Sequence, residues 1–334
     1  MTRTGTPGAL VDSFGTGFLV TRVFRQGDDY LWVRTPGPRR GNRFTAIPEE
    51  LRDPGLAAGG VALTPGTPVG DDRHYLVGAR FSLALLMAAQ PAGPHWTELA
   101  PLLRGVGELV RRVHDTVSPA PAAEPPRGTE RLRRWMATGE GAAPAGDLHR
   151  LAVRKLGRER WDRVLGWCDG AVADGSRERV LLLGGVTLGG LVPARTAPPA
   201  GTPAAAGRLV TGEEPAAGGR LLVGEELAAG PPEYDLGWTL GELFEFGALH
   251  WKAADQGEPA AHCAAAARSL LDGYGREHLD LDLLGQVALL RVLTHAHDFA
   301  AYVAWTDQLH EYLDLAISMI DTDGTAALPH DTLA

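Results

Sequence analysis

Apolar and polar positions alternate with a period of two over much of the first eighty residues, then recur with a helical period to about residue 320. Residues 17–25 and 28–35 are rich in β-branched and aromatic side chains, and the Gln26-Gly27 pair between them is a tight-turn signal, so the two predict a hairpin. Residues 36–42 read as a loop and 43–52 as a short helix weakened by Pro48. Two further strands are expected at 61–64 and 74–81. Helices follow at 96–117, 130–138, 147–173, 235–251, 260–274 and 281–320, the last broken around 294–297. A buried strand falls at 179–183. Proline-rich 118–127 and low-complexity 193–207 read as surface excursions. A twelve-residue repeat, 207–218 then 219–230, predicts a hairpin within 207–230, being too short and solitary for a solenoid.

Strands first and helices afterwards give an α+β chain of two lobes. The expected division is a strand-rich lobe at 1–90, a helical lobe at 91–320 containing a central loop at 180–192, and a disordered tail at 321–334. The 334 residues suffice for a large core. No apolar run approaches the ~20 residues that cross a bilayer, and the first residues lack a signal-peptide core. No membrane association and a cytoplasmic location are therefore expected. Cys168 and Cys263 read as buried thiols. A net charge of -9 argues against nucleic acid as a partner.

The chemistry centres on two segments. One runs Leu183-Gly184-Gly185, four residues, then Gly190; the other runs from Gly230 through Pro231, Pro232, Glu233, Tyr234, Asp235, Leu236 and Gly237 to Trp238. With the Ser13–Gly17 turn, the strand around Arg34 and the helix ending at His114-Asp115, they fall in the order of the protein-kinase-like fold. Over nearly its whole length the chain resembles the aminoglycoside phosphotransferases. That resemblance implies a phosphate-covering turn at Gly15 and Gly17, a phosphate-facing cation at Arg34, and a loop-fixing carboxylate at Asp235. It also implies ATP and magnesium as cofactors.

Where that family carries its acids, this chain carries glycine. The base position falls on Gly185, the metal-binding asparagine on Gly190, and the metal-binding aspartate on or near Gly224. Glycine accepts no proton and binds no cation. Each such loss is worth roughly 10²–10⁴-fold in rate. Arg34 also replaces a point charge with a planar fork. Two readings stay open: a pseudokinase that retains only its groove, or chemistry by displaced acids. Glu225 and Glu226, with Glu213 and Glu214 repeating the pattern, are the candidate substitutes, since magnesium asks for few hard oxygens. Against this stands a plain role as solvated turn residues.

Other clusters carry less. His295 and His297 lie two apart on a helix and diverge, which disfavours a shared metal. Arg39, Arg40 and Arg43 form either a solvated basic face or an anion contact, and Asp71-Asp72 a polar turn. Zinc spacing and a nucleophile elbow are both missing from the sequence. The loop Leu183–Pro193, the Gly-Glu-Glu turn and the segment through Trp238 further resemble phosphotransferase-like proteins of thioamitide and class V lanthipeptide biosynthesis. That narrower resemblance implies a subunit of a Ser/Thr-dehydrating complex, a hetero-oligomer with a precursor (leader) peptide and an effector-like lyase subunit as partners. A degenerate small-molecule kinase is the remaining alternative.

Overall fold

The computed structural model describes residues 8–90, 93, 95–119, 124–173, 179–194, 216–249 and 258–329. Strands β1 (Leu10–Gly15), β2 (Leu19–Gln26) and β3 (Asp29–Pro36) open the chain. The β2–β3 turn has Gly27 at φ +66°, which suits a tight hairpin. A short 3-10 turn at Glu49–Arg52 stands where a helix over 43–52 was expected, because Pro48 stops any extension. Then come β4 (Ala57–Ala58), β5 (Val61–Pro65), β6 (Thr67–Val69) and β7 (Asp72–Val77). Strands β1-β2-β3-β7-β6 form one antiparallel sheet. Its inner face carries Thr21, Val23, Trp32, Arg34, Tyr75 and Val77, all buried.

Helices α1 (Leu83–Ala89), α2 (His95–Thr116), α3 (Arg127–Thr138) and α4 (Ala143–Ala173) follow. Gly157 breaks the helical path of α4 with φ +69°, a kink the periodicity did not reveal. Next are β8 (Val180–Leu182), β9 (Leu191–Ala194), β10 (Ala216–Val223) and β11 (Ala228–Gly230). Helices α5 (Glu233–Leu249), α6 (Glu258–Tyr274), α7 (Leu281–Tyr302) and α8 (Gln308–Ile320) complete the helical lobe.

Three further expectations change. The helix expected over 281–320 is continuous through 294–297 and breaks instead between Tyr302 and Gln308. His295 and His297 find carboxylate partners and so do not interrupt it. Residues 321–329, expected within a disordered tail, carry a 3-10 turn at Thr325–Ala327 and bury Leu328. Within 207–230, the first expected strand lies outside the described residues. The second is β10, which pairs antiparallel with β9 and parallel with β5.

That β5–β10 ladder joins the front third of the chain to the helical lobe. Beside it α2 crosses the β4–β5 turn so closely that a Cβ on Gly105 would lie 2.5 Å from the Gly59 carbonyl oxygen. Gly105→Ala should therefore destabilise the fold by about 1–3 kcal/mol. Urea unfolding would show this as a lower midpoint at unchanged slope.

Candidate functional site

The central loop, residues 183–190, owes its shape to one side of α5. Asp235 is fully buried and accepts two backbone N–H bonds, from Leu183 at 2.7 Å and Gly185 at 2.8 Å. One turn on, the Thr239 hydroxyl donates to the Val186 carbonyl (2.8 Å), and another turn on Glu242 accepts from Leu188 N–H (2.7 Å). Positions i, i+4 and i+7 share one helix face, so a polar stripe on an apolar helix reads the loop's backbone. His114 of α2 closes the group with Nε2 at 3.2 Å from Asp235 and Nδ1 at 3.1 Å from the Tyr274 hydroxyl. Sequence reasoning found Asp235 and the helix end at His114 but missed Thr239 and Glu242 and the contact between His114 and Asp235.

The positions that would carry acids are filled by neighbours. Gly185 has φ +89°, and a Cβ there would sit 2.7 Å from the Trp238 indole. Gly224 has φ +110°, and its Cβ would meet Ile47 at 2.9 Å. Both backbones favour glycine; the Gly185 side-chain space is taken by the Trp238 ring, whereas at Gly224 the Ile47 end methyl would have to turn aside. At Gly190 a Cβ would lie 3.3 Å from the Leu222 carbonyl oxygen, a tight contact though less severe than at the other two.

Glu225 and Glu226 sit in the turn between β10 and β11, and each is neutralised. Glu225 Oε1 accepts from Arg34 at 3.0 Å and from the Tyr75 hydroxyl at 2.6 Å. Glu226 Oε1 accepts from Arg40 at 2.8 Å and Arg131 at 3.1 Å. Arg131 passes on to Asp298 at 2.9 Å, whose other oxygen lies 2.8 Å from His297 Nδ1. The Phe18 ring lies between Arg40 and Arg131, with guanidinium carbons 4.2 and 4.4 Å from its centroid. Arg34 also donates to the Gly189 carbonyl (3.0 Å). Burial lowers the Arg34 pKa, but Glu225 and then Tyr75 outweigh it and the net shift is upward. The Tyr75 hydroxyl is pushed well up by burial and then by Glu225.

The strap after β3 and the β1–β2 turn bind the helical lobe directly. Gly17 N–H donates to the Tyr302 carbonyl at 2.8 Å. Arg39 donates to the carbonyls of Ala301 (2.5 Å) and Tyr302 (2.6 Å), at the end of α7 where carbonyls lack helical partners. Thr45 N–H donates to the Glu225 carbonyl (3.3 Å), and Leu227 N–H to Thr45 Oγ1 (2.9 Å). Arg40 is thus an internal strut, while Arg39 holds the α7 carbonyls from an exposed position. Arg43 remains exposed.

This arrangement does not suit magnesium. Three guanidinium groups surround the two carboxylates, and a cation would have to displace them. Among the described residues no group of three His, Cys, Asp or Glu could hold a metal. His295 belongs instead to a buried cluster with Glu245 (2.7 Å), Arg291 and Tyr312. The phosphate-directed groups are largely spent, Gly17 on Tyr302 and the two terminal nitrogens of Arg34 on Glu225 and Gly189. Gly15 lies at the end of β1, where a Cβ would meet the Leu19 carbonyl oxygen at 2.8 Å. Glu213 and Glu214 lie outside the described residues. Cys168 and Cys263 are buried free thiols, pushed by burial to about 12. No described helix is long and apolar enough to cross a membrane.

Two outcomes follow from this geometry. Asp235→Ala should cost about 3 kcal/mol, since it strands two buried N–H groups and leaves His114 without its carboxylate. Chemical denaturation would measure it. Asp298 supplies a pH test. Burial pushes its carboxyl up, but Arg131 and the His297 hydrogen bond prevail and hold it at about 2, against an ordinary 3.8. A depressed carboxyl contributes stability that is complete above about pH 4 and is lost as pH falls towards 2. Asp298→Asn should therefore narrow the difference between melting temperatures at pH 5 and pH 3.

No family model and no curated protein matches the sequence. Solved structures do. The chain is similar to a putative aminoglycoside phosphotransferase from Ralstonia eutropha, at 13% identity over 97% of this chain and 94% of that one, with a TM-score of 0.51. It is also similar to choline kinase from Cryptosporidium parvum (11% identity, 95% and 91% covered, TM-score 0.49). A third similar structure is an aminoglycoside phosphotransferase from Streptomyces rimosus in complex with ADP and streptomycin (15% identity, 82% and 90% covered, TM-score 0.39). The fold assignment rests on the first of these. With its sheet lobe, helical lobe and central loop, this chain has the two-lobed, kinase-like α+β fold of the aminoglycoside phosphotransferases.

Proposed function

We propose that this chain is a pseudokinase-like subunit, one that binds a peptide and a protein partner and does not itself transfer phosphate. The observation that carries this reading is the Trp238 ring filling the side-chain space at Gly185, together with a left-handed backbone at both vacated acid positions, Gly185 and Gly224. Chemistry by displaced acids needs carboxylates free near the loop. Here Glu225 and Glu226 are each held by arginine, which disfavours the displaced-acid alternative. The narrower role follows from the resemblance of the 183–193 loop and the 230–238 segment. It is the phosphotransferase-like subunit of a complex that dehydrates Ser/Thr of a ribosomal precursor peptide, in the cytoplasm, beside an effector-like lyase.

Purified protein with labelled ATP, magnesium and a precursor peptide encoded beside the gene should give no labelled peptide. Gly185→Asp should not restore transfer, because Trp238 occupies the space the carboxylate needs. Calorimetry should detect the leader peptide without nucleotide. Label transfer that disappears in Glu225→Gln would overturn the reading, and no heat with any neighbouring peptide would remove the peptide role.

A further inference from the structure

The seam between the lobes contains a small apolar cluster separate from the main core. Val23, Trp32, Tyr75 and Val77 come from the inner face of the first sheet, Val192 and Leu222 from β9 and β10. Trp32 is its largest member and only 1% exposed. Its indole Nε1–H donates to the Ala79 carbonyl at 3.1 Å. Ala79 lies in residues 78–82, the stretch joining β7 to α1 and so the chain's crossing between lobes. Phe14 meets the indole edge-on, with centroids 6.1 Å apart.

Beside the rings stands a cation. The Arg34 guanidinium carbon is 5.6 Å from the ring centroids of both Trp32 and Tyr75. Its Nε–H is buried without a partner, an orphan donor in a side chain more than nine-tenths buried. A flat apolar slot, a carbonyl acceptor at one edge and a cation with a spare N–H nearby make a specific set. It suits a bicyclic heteroaromatic ring that donates one hydrogen bond and trails a negative charge, as a purine nucleotide does. The indole meets the ring and donor requirements from within the chain.

We propose that Trp32 acts as an internal ligand: it occupies a slot whose chemistry fits a purine nucleotide and closes the seam in a nucleotide's place. This deepens the non-catalytic reading above and rests on it in one respect, that the seam functions without bound nucleotide. Removing the indole opens the slot. Filling it from solution restores the lost contacts and raises stability by linkage.

The test uses the full chain, with Trp32→Gly and, should that variant not fold, Trp32→Val. Thermal unfolding is followed with indole, adenosine and ADP as separate probes. Wild type should respond to none of them. The variant should gain about 2–4 °C at ten times the dissociation constant of ADP or adenosine, and indole should stabilise it too. A folded variant that answers only to indole has an apolar hole without purine chemistry, and one that answers to nothing has no slot; either result overturns the proposal. Phosphate transfer or ADP stabilisation in the wild type sinks the internal-ligand claim, and transfer sinks the functional reading with it. Failure of the variant alone to take ADP leaves that functional reading standing.

Discussion

Two adjacent carboxylates determine how this molecule is put together. Glu225 and Glu226 sit in a tight turn and receive arginines from three directions: β3, the strap that follows it, and α3. Such pairs are costly to desolvate, and their net contribution to stability is small or negative compared with apolar packing. Their geometric effect is larger. Removing one partner leaves a buried charge uncompensated, so the lobes are held in one relative position. Phosphotransferases make a related investment in a cation–carboxylate pair near the nucleotide. Here the charges are satisfied entirely by protein.

The loop beneath that turn tells the complementary half. Asp235, Thr239 and Glu242 hold a backbone whose own apolar side chains Leu183, Val186 and Leu188 pack into the core, and His114 and Tyr274 anchor the holder. The scaffold that would position acids is complete while the acids are missing. Three buried side chains are committed to reading its backbone.

Much of this was legible in the sequence, and the remainder was hidden for a physical reason. The β2–β3 hairpin could be read because Gln26-Gly27 punctuates two alternating runs, and α2 because its apolar residues share one face. Gly185, Gly190, Gly224 and Asp235 were found because each belongs to a short local pattern. The arginine partners were not, since Arg34 and Glu225 are 191 residues apart and Arg39 and Ala301 are 262 apart. The helix break was misplaced for a related reason. Polar His295 and His297 look like an interruption until Glu245 arrives from α5 to receive the first, while the neighbouring Asp298 receives the second. Trp32 read simply as a strand residue, because periodicity shows that a side chain is buried and not what it replaces.

The parallel ladder between β5 and β10 bears on how the chain comes into being. Thr64 and Arg220, from the two paired strands, are 156 residues apart. During synthesis the earlier strand leaves the ribosome long before its mate exists, with its pairing edge unsatisfied. Contacts of such range must await closure of a very long loop, and they slow the approach to the native state. The nascent front third is therefore a candidate client for chaperones, and a message paused before β10 would release a fragment prone to associate through that edge.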